Sequence, residues 1–319
     1  MKKSLLALAA LTTLSGAALA QSSVTLYGVA DVAVGKTNAV GLGLANDKFQ
    51  AIASNTLNNG TARWGLRGTE DLGGGLKAGF NFEAGLSMAD GTGNLSGGTP
   101  FARAANMSLM GGFGELRAGR SLTTSFYSLA AWELTGTANY SVVGAQFGFV
   151  GAGPRDSAAI MYFSPKMGGL QINASTVLKG NNAASKSKYD LGAIYGAGPL
   201  TVSAAYNKVQ DGNEGMMIGG KYNFGGFAVA GGWQSYETDA GVTINEGFSI
   251  GVSAPMGPLT LTADLARDTE YKDTNFLLEA KYALSKRTFI YGVYMSDGDG
   301  KGAATKNING YSLGVRHNF

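Results

Sequence analysis

Apolar and polar residues alternate with a period of two along most of this chain. The pattern is clearest in residues 23–34, 169–176, 199–207, 258–266 and 307–319. A period of two residues is typical of a β-strand with one apolar and one polar face. Each segment is roughly ten residues long, the length that a tilted strand needs to cross a bilayer. The pattern therefore predicts an all-β fold.

Short turns and long polar stretches alternate between the predicted strands. The short turn signals lie at residues 73–75, 111–112, 166–169, 198–199, 225–226 and 255–258. The long polar stretches are residues 36–60, 89–100, 180–187, 211–214, 238–243 and 296–306. Short turns at one end and long loops at the other are typical of a transmembrane antiparallel β-barrel, here of about 16 strands. A secreted β-sandwich or solenoid is the alternative, but a small, aliphatic outer face with aromatic residues near the strand ends favours the barrel.

The first residues of the chain have the features of an export signal. Lys2 and Lys3 precede an apolar stretch, residues 5–14, and Ala18 and Ala20 form a small-residue cleavage site. This order is typical of a secretory signal peptide, and the apolar stretch is too short to span a bilayer. We expect residues 1–20 to be cleaved, which leaves residues 21–319 as a single barrel domain.

Composition narrows the possible functions. The chain has no cysteine, so disulfides cannot stabilise the exported protein. Without Lys2 and Lys3, 25 − 2 = 23 basic residues stand against 22 acidic ones, a net charge of +1. This balance gives no support for nucleic-acid binding. The 50 glycines, 14 tyrosines and 15 phenylalanines suit a large strand-rich protein rather than a disordered one.

Four stretches, in order along the chain, resemble a known family. They are residues 22–34, residues 63–83, residues 101–120 and the ending "YSLGVRHNF", residues 311–319. Each is similar to the corresponding stretch of the trimeric general-diffusion porins of Gram-negative outer membranes, in their beta-proteobacterial branch. The resemblance implies sixteen strands per subunit, a homotrimer joined through the walls of the first strands, and a third loop folded into the lumen. It also implies that Phe319 is a signal for the outer-membrane assembly machinery, and that outer-membrane lipid and lipopolysaccharide surround the barrel.

The third loop of that family corresponds here to residues 121–153. This is the longest interval without clean alternation, and a loop of this length is usually functional. The family's third loop commonly carries several acidic residues, whereas Glu133 is the one acidic residue of this stretch. The family often has an aromatic residue at the position of Asn106, and an amide there fits a wall position that faces a neighbouring subunit.

Arginines are the candidate pore residues. Alternation with Trp64 and Leu66 places Arg63 and Arg67 on the inner face of their strand. The resemblance places Arg63, Arg103 and Arg155 in the arginine cluster that lines the family's lumen. Guanidinium groups keep their charge, so we expect Arg63, Arg67, Arg103 and Arg155 to form a pore constriction opposite Glu133.

A structural role for these arginines is the alternative. Each could form an ion pair with a nearby carboxylate, such as Glu70, Glu83 or Asp156. Arg316 also faces inward, but its position near the chain end predicts a solvated charge at the periplasmic rim.

Patterns that suggest catalysis or metal binding have simpler interpretations. Residues 247–251 match the Gly-x-Ser-x-Gly nucleophile motif, but the alternation continues through Ser249, so no strand-to-helix turn is predicted. The alternation puts His317, the sole histidine, on the outer face. Residues 297–302 resemble a calcium loop in which Lys301 occupies a ligand position. We expect no enzyme activity, no cofactor and no metal.

The sequence predicts a water-filled outer-membrane channel for passive diffusion of small hydrophilic solutes and ions. An excess of arginine over acid in the lumen favours anions, so we expect weak anion selectivity. Three alternatives remain open. A solute-specific channel would use lumen aromatics such as Tyr27, Tyr140 and Tyr162; an outer-membrane hydrolase would use Ser249; and a non-channel adhesin would show no conductance.

Overall fold

The computed structural model describes residues 23–38, 47–94, 99–181, 185–298 and 308–319. The predicted signal peptide, residues 1–20, lies outside these ranges, as does most of the calcium-like stretch. Two short helices and one turn of 3₁₀ helix interrupt an otherwise all-strand structure. Within these ranges, no helix is long and apolar enough to cross a membrane.

The described residues form sixteen long strands. The first eight are β1 Ser23–Thr37, β2 Arg63–Gly73, β3 Leu76–Leu86, β4 Ala104–Gly111, β5 Gly114–Leu122, β6 Arg155–Phe163, β7 Leu170–Val177 and β8 Lys188–Ala197. The other eight are β9 Leu200–Val209, β10 Glu214–Asn223, β11 Ala228–Glu237, β12 Thr243–Met256, β13 Leu259–Asp268, β14 Thr274–Ala283, β15 Thr288–Asp297 and β16 Ile308–Asn318. The remaining elements are two short strands, Gln50–Ile52 and Gly93–Asn94, the helices α1 Thr124–Ala130 and α2 Val142–Phe147, and the 3₁₀ turn Lys179–Asn181.

Every long strand pairs antiparallel with the next one in the chain, and β1 also pairs with β16. The sheet therefore closes on itself, and the predicted antiparallel barrel of sixteen strands is confirmed. A closed sheet leaves no unpaired strand edge, which hydrocarbon could not satisfy with hydrogen bonds. Glycine-containing turns at residues 73–75 and 112–113 join neighbouring strands at one end of the barrel, as the sequence predicts.

The two faces of each strand differ as the alternation predicts. On β1 and β16 the side chains of Leu26, Val34 and Leu313 are exposed on the outer face, whereas Asp31 and Ser312 are buried on the inner face. The exposed residues of the other strands are also largely aliphatic or aromatic. An apolar outer surface on a closed barrel is suited to contact with lipid, and the polar inner face encloses a lumen.

The seam of the barrel lies between the two ends of the chain. Gly28 N donates to Phe319 O and Phe319 N donates to Gly28 O, both at 3.0 Å. Between these bonds and the far end of the seam, residues 29–37 pair with residues 310–318. A Cβ atom at Gly28 would lie 2.3 Å from the Phe319 ring and 2.7 Å from Arg63 O. The terminal phenyl ring therefore occupies space that only glycine leaves free.

A long loop, residues 123–154, connects β5 to β6 and packs against the inner face of the wall. Its bounds agree with the predicted third loop, residues 121–153, to within two residues. Thr123 and Ser141 begin the two helices, because each hydroxyl accepts a backbone hydrogen bond from three residues further on. Asp190 of the wall accepts hydrogen bonds from Ser125 N at 2.9 Å and Ser125 Oγ at 2.7 Å. Further along, Ser203 Oγ donates to Ser128 O at 2.7 Å.

Trp132 anchors the middle of the long loop in a slot formed by two glycines of the wall. The indole is almost fully buried, with 1% of its surface exposed. Cβ atoms built at Gly219 and Gly232 would lie 2.2 Å and 2.9 Å from atoms of the indole ring. Both glycines face inward on neighbouring strands and pair with each other across β10 and β11. The loop position therefore depends on the absence of side chains in the wall.

Tyr140 anchors the second half of the long loop. Its hydroxyl donates to Glu279 Oε2 of β14 at 2.5 Å and accepts from Asn59 Nδ2 at 2.7 Å. Burial, reinforced by the neighbouring Glu279 carboxylate, raises the pKa of the Tyr140 phenol far above its ordinary value. The phenol therefore stays protonated at neutral pH and keeps its hydroxyl hydrogen for Glu279.

A second segment, residues 53–62, also packs inside the barrel. We call it the first-loop segment, because it lies between β1 and β2. Asn58 Nδ2 and Gly60 N donate to the Asp31 carboxylate at 3.1 Å and 3.0 Å. Leu57 is buried, and Ser312 Oγ of β16 donates to its carbonyl at 2.7 Å. The sequence predicts residues 36–60 only as a long polar loop, and this inward packing differs from that interpretation.

We expect Gly28→Ala to weaken the seam. The new methyl group would meet both the Phe319 ring and a backbone carbonyl, and overpacking of this kind costs about 1–3 kcal/mol. The measurement is the temperature at which the folded barrel in detergent loses its compact gel mobility. Gly226→Ala is the control, because no atom lies within 4 Å of a Cβ at that turn position. Equal unfolding temperatures for the two variants would contradict the proposed packing of the seam.

We expect Gly219→Ala to displace the long loop, because the methyl group would overlap the Trp132 indole. The single-channel conductance of the refolded protein should change, since the loop occupies part of the lumen. The double variant Gly219→Ala/Trp132→Leu should restore much of the wild-type conductance, because the smaller side chain leaves room for the methyl group. If the conductance of the double variant is no closer to the wild-type value than that of Gly219→Ala, the slot does not position the loop.

Candidate functional site

A cavity of about 710 Å³ lies inside the barrel between the wall, the first-loop segment and the long loop. Its charged lining residues are Arg63, Glu83, Arg103, Arg117, Arg155 and Arg316. Five arginines minus one glutamate leave a formal charge of +4 on the described lining. Most of the uncharged lining is polar, including amide and hydroxyl groups of both loops. A wet, positively charged passage is therefore the main functional feature of the lumen.

Arg63 and Arg103 meet at one carboxylate. Arg103 Nε lies 2.6 Å from Glu83 Oε1, and Arg63 Nε lies 3.6 Å from Glu83 Oε2. The pairing of β2 with β3 places Arg63 and Glu83 at neighbouring positions of one hairpin, and Arg103 immediately precedes β4. Glu83 Oε2 also accepts from Tyr27 Oη at 3.0 Å. Glu83, which the sequence suggests only as one possible ion-pair partner, is thus the centre of this group.

Arg155 completes the cluster without a carboxylate of its own. Its Nε donates to the backbone carbonyl of Arg103 at 3.0 Å. The neighbouring Asp156 pairs instead with Lys188 Nζ at 2.7 Å. The structure therefore brings Arg63, Arg103 and Arg155 together at one cavity, as the sequence predicts.

Arg67 lies apart from that cluster. It faces inward, and its guanidinium lies 4.9 Å from the centre of the Tyr27 ring. Arg67 pairs with Asn81, which lies two residues nearer than Glu83 to the short turn that joins β2 to β3. Arg67 does not line the cavity. Arg67 therefore lies in the lumen beside the cavity, on the side of the short turns, rather than in the cavity wall.

Glu133 does not face the arginines. The side chain is 3% exposed, and it accepts hydrogen bonds from Thr135 Oγ1 at 2.5 Å, Thr137 N at 2.7 Å and Ser141 Oγ at 2.8 Å. These contacts lie within the long loop, and Glu133 is not part of the cavity lining. The predicted pairing of Glu133 with the arginines is corrected: Glu83 of the wall is the carboxylate at the cluster, and Glu133 folds its own loop.

Arg316 lies deeper than the sequence predicts. It lines the cavity, and its Nη1 donates to Asn59 Oδ1 of the first-loop segment at 2.6 Å. The expectation of a solvated rim charge is therefore wrong, because the inward packing of residues 53–62 brings a partner to this side chain. Nothing in the local pattern around Arg316 reveals that packing.

Arg117 is a further lining residue that the sequence interpretation missed. Its guanidinium contacts Glu115 Oε1 at 2.8 Å and Tyr127 Oη at 3.0 Å, and lies 4.7 Å from the centre of the Phe163 ring. Alternation along β5 puts it on the inner face, which is the signal that could have identified it.

Asn106 faces the lumen rather than a neighbouring subunit. It is 8% exposed, lines the cavity and donates from Nδ2 to Arg120 O at 2.9 Å. The sequence interpretation for Asn106 is therefore wrong, because its face is set by pairing with inward-facing Asn81 across β3 and β4.

The catalytic patterns have no supporting geometry in the described residues. Ser249 lies inside the continuous strand β12 and faces inward, whereas His317 faces outward and bonds Thr288 Oγ1 through Nδ1 at 2.8 Å. No group of three potential metal-ligating side chains occurs in the described part of the chain. Ser249 and His317 therefore lie on opposite faces of the sheet.

The three tyrosines suggested for a solute track are separated. Tyr27 faces the lumen, and Tyr140 is buried where the long loop meets the first-loop segment and the wall. Tyr162 lies near the short turns, where its hydroxyl donates to Phe113 O. They form no continuous aromatic surface.

Comparison with known proteins agrees with this geometry. The "Outer membrane porin protein 32" of Delftia acidovorans is 32% identical, with 100% of both chains covered. An outer membrane porin protein of Bordetella pertussis is 28% identical, also over 100% of both chains. The solved structure described as "Anion-selective porin from Comamonas acidovorans" has a TM-score of 0.76 and 28% identity, and the match covers 93% of this chain and 100% of that one. A loop L8 deletion mutant of OmpT, an outer membrane protein of Vibrio cholerae, shares the fold: it is 15% identical, with a TM-score of 0.69 over 93% of this chain and 99% of that one.

The family model described as "Gram-negative porin" matches residues 7–303, most of the chain. Together with the closed barrel of sixteen strands and its charged lumen, this match shows that the chain belongs to the Gram-negative porin family and is an outer-membrane channel.

Proposed function

We propose that this porin is a weakly anion-selective channel for passive diffusion of small hydrophilic solutes and ions. The observation that carries the proposal is the charge of the cavity lining: five arginines and Glu83 line it, and of the arginines only Arg117 is paired, among the described residues, with a carboxylate outside the lining, Glu115. Selectivity depends on charges at the narrowest point, where water and salt screen them least. The net charge of the whole chain therefore does not decide it.

The arginine cluster supplies a fixed positive field. Guanidinium groups remain charged at any relevant pH, and Arg155 and Arg316 bond neutral carbonyl or amide oxygens rather than carboxylates. Glu83 is shared between Arg63 and Arg103, so it offsets one of their two charges. The description of the Comamonas acidovorans porin as anion-selective supports the same sign here.

Solutes cross this channel without reaction. The proposal therefore includes no enzyme activity and no cofactor, and it makes Arg63, Arg103, Arg155 and Glu83 the constriction residues, with Arg67 beside them. The separation of Tyr27, Tyr140 and Tyr162 argues against a dedicated track for one solute. A solute-specific channel would instead show saturation of the conductance by that solute.

We propose that the chain forms a homotrimer surrounded by outer-membrane lipid and lipopolysaccharide. Aromatic side chains cluster on the outer face of β2, β3 and the residues before β4: the Trp64 and Phe101 rings are 6.3 Å apart, and the Phe82 and Phe101 rings are 5.4 Å apart. One solved neighbour of the same fold is described in a trimer form.

We also propose Phe319, whose ring lies on the outer surface, as the signal read by the outer-membrane assembly machinery.

The test of selectivity is the reversal potential of the refolded mature protein in a planar bilayer under a potassium chloride gradient. We expect the sign that corresponds to chloride preference. Arg103→Ala and Arg155→Ala should each reduce the chloride-to-potassium permeability ratio by about twofold, because each removes one positive charge from the lining. A wild-type reversal potential of the opposite sign would overturn the proposal while leaving the porin assignment intact.

Two carboxylates provide a matched control for that experiment. Glu83→Gln should raise the preference for chloride, since it removes the one acidic charge of the lining. Glu133→Gln should leave the sign and size of the reversal potential close to the wild-type values, because Glu133 is buried within its loop. A larger effect of Glu133→Gln than of Glu83→Gln would show that the constriction is assigned to the wrong carboxylate.

The test of the trimer uses two exposed tryptophans on different parts of the wall. Trp64, 40% exposed, lies in the aromatic cluster, and Trp233, 37% exposed, lies on β11. We expect light scattering in detergent to give a trimer mass for the wild type and for Trp233→Ala, and a smaller mass for Trp64→Ala. A monomer mass for the wild type, or equal effects of the two substitutions, would contradict this interface.

A further inference from the structure

Asn59 lies where three parts of the lumen meet. It belongs to the first-loop segment, and its side chain is buried, with 5% of the residue exposed. Its Nδ2 donates to Tyr140 Oη of the long loop at 2.7 Å, and its Oδ1 accepts from Arg316 Nη1 of β16 at 2.6 Å. Its carbonyl accepts from Asn139 N at 3.3 Å. No other described contact joins both loops and the last strand through one side chain.

We propose that Asn59 is a positioning residue of the channel. It holds the guanidinium of Arg316 at the cavity lining, and it joins the first-loop segment to the long loop. The inference rests on the proposed function only where it treats Arg316 as a selectivity charge. The joining of the two loops is independent of the sign of selectivity.

The hydrogen-bond chemistry at this point requires an amide. Arg316 has only donors, so its partner must offer an acceptor. Tyr140 already donates its one hydroxyl hydrogen to Glu279, so its second partner must offer a donor. Asparagine provides both groups on a short side chain. Aspartate could accept from Arg316, but it would place a second carboxylate against the buried Tyr140 oxygen. Alanine would remove both the acceptor of Arg316 Nη1 and the donor to Tyr140 Oη.

The other contacts of Arg316 do not replace Asn59. Arg316 Nε donates to Asn318 Oδ1 at 3.3 Å, and the guanidinium lies 5.9 Å from the Phe289 ring centre. Both are longer contacts than the one to Asn59, and both involve neighbours at the wall rather than at the loops. Asp31 lies opposite Arg316 across the seam, but its carboxylate accepts from Asn58, Gly60 and Tyr291 and makes no hydrogen bond to Arg316 in the described residues. Without Asn59, the long arginine side chain would regain rotamer freedom, and its charge would no longer hold one position in the passage.

The contact also links the two loops mechanically. Apart from the bond between Asn59 and Tyr140, one side-chain hydrogen bond joins the two loops in the described residues. It runs from Asn139 Nδ2 to Asn55 O at 3.1 Å. Tyr140 is fully buried and holds the long loop to the wall through Glu279. We therefore expect loss of the Asn59 amide to let the two loops fluctuate relative to one another, on a timescale that single-channel recording resolves.

The experiment compares Asn59→Ala with Asn275→Ala in refolded full-length mature protein. Asn275 is a matched control, because it is an inward-facing asparagine of similar burial, 4% exposed, that does not line the cavity. Compact gel mobility at room temperature shows that each variant is folded. We expect Asn59→Ala to increase the variance of the open-channel current by about twofold or more, and Asn275→Ala to leave it at the wild-type level.

A double-mutant cycle tests the second half of the proposal. Asn59→Ala should lower the chloride-to-potassium permeability ratio, and it should cause no further decrease in an Arg316→Ala background, because it acts through that side chain. Equal current noise in the Asn59 and Asn275 variants, or additive effects of Asn59→Ala and Arg316→Ala, would overturn the proposal. If the wild-type channel prefers cations while Asn59→Ala still increases the current noise, only the proposed anion selectivity is overturned.

Discussion

The structure depends on one constraint: hydrocarbon offers no hydrogen-bond partners to the protein backbone. A sheet in a bilayer must therefore close, and here the first and last strands close it through residues 29–37 and 310–318. Closure fixes which face of every strand touches lipid. It also creates an interior that water fills and that the chain can line with charged groups. The channel is a direct consequence of satisfying the backbone.

The interior then poses its own problem, because an empty barrel of this size would be a wide and unselective hole. Two segments narrow it from inside. The long loop is fixed by Trp132 in its glycine slot and by Tyr140 at Glu279, and the first-loop segment is fixed by Asp31. The arginines of the wall consequently face a narrow polar passage instead of bulk solution. The same side chains in a wider lumen would be screened within about 10 Å at moderate salt.

Features that depend on local pattern could be predicted from the sequence. The strand period, the turns and the inward orientation of Arg63 all follow from alternation, and the resemblance located Arg103 and Arg155. Features that depend on contacts distant in sequence could not. Glu133 looked like the carboxylate of the passage because it is the one acidic residue of its loop, but its orientation is decided by three hydrogen bonds inside that loop.

Arg316 and Asn106 show the same limit from the side of the wall. The position of Arg316 near the chain end predicts a place at the rim, whereas its surroundings come from a segment more than two hundred positions earlier in the chain. The contrast between Asn106 and the aromatic residue that the family often has there predicts a wall position that faces a neighbouring subunit, but pairing with Asn81 decides its face.

The seam has a consequence for how the protein reaches its folded state. The pairing of Val29 with Asn318 joins positions 318 − 29 = 289 residues apart, so this contact has almost the largest sequence separation that the chain allows. Contacts of this kind make folding slow, because the entropy of closing so long a loop is lost before the pairing stabilises anything. Every other neighbouring pair of long strands can form as a local hairpin or across a single connection. The barrel therefore has a natural last step: until the final strand arrives, both edges of an otherwise complete sheet stay open and prone to pairing with other chains.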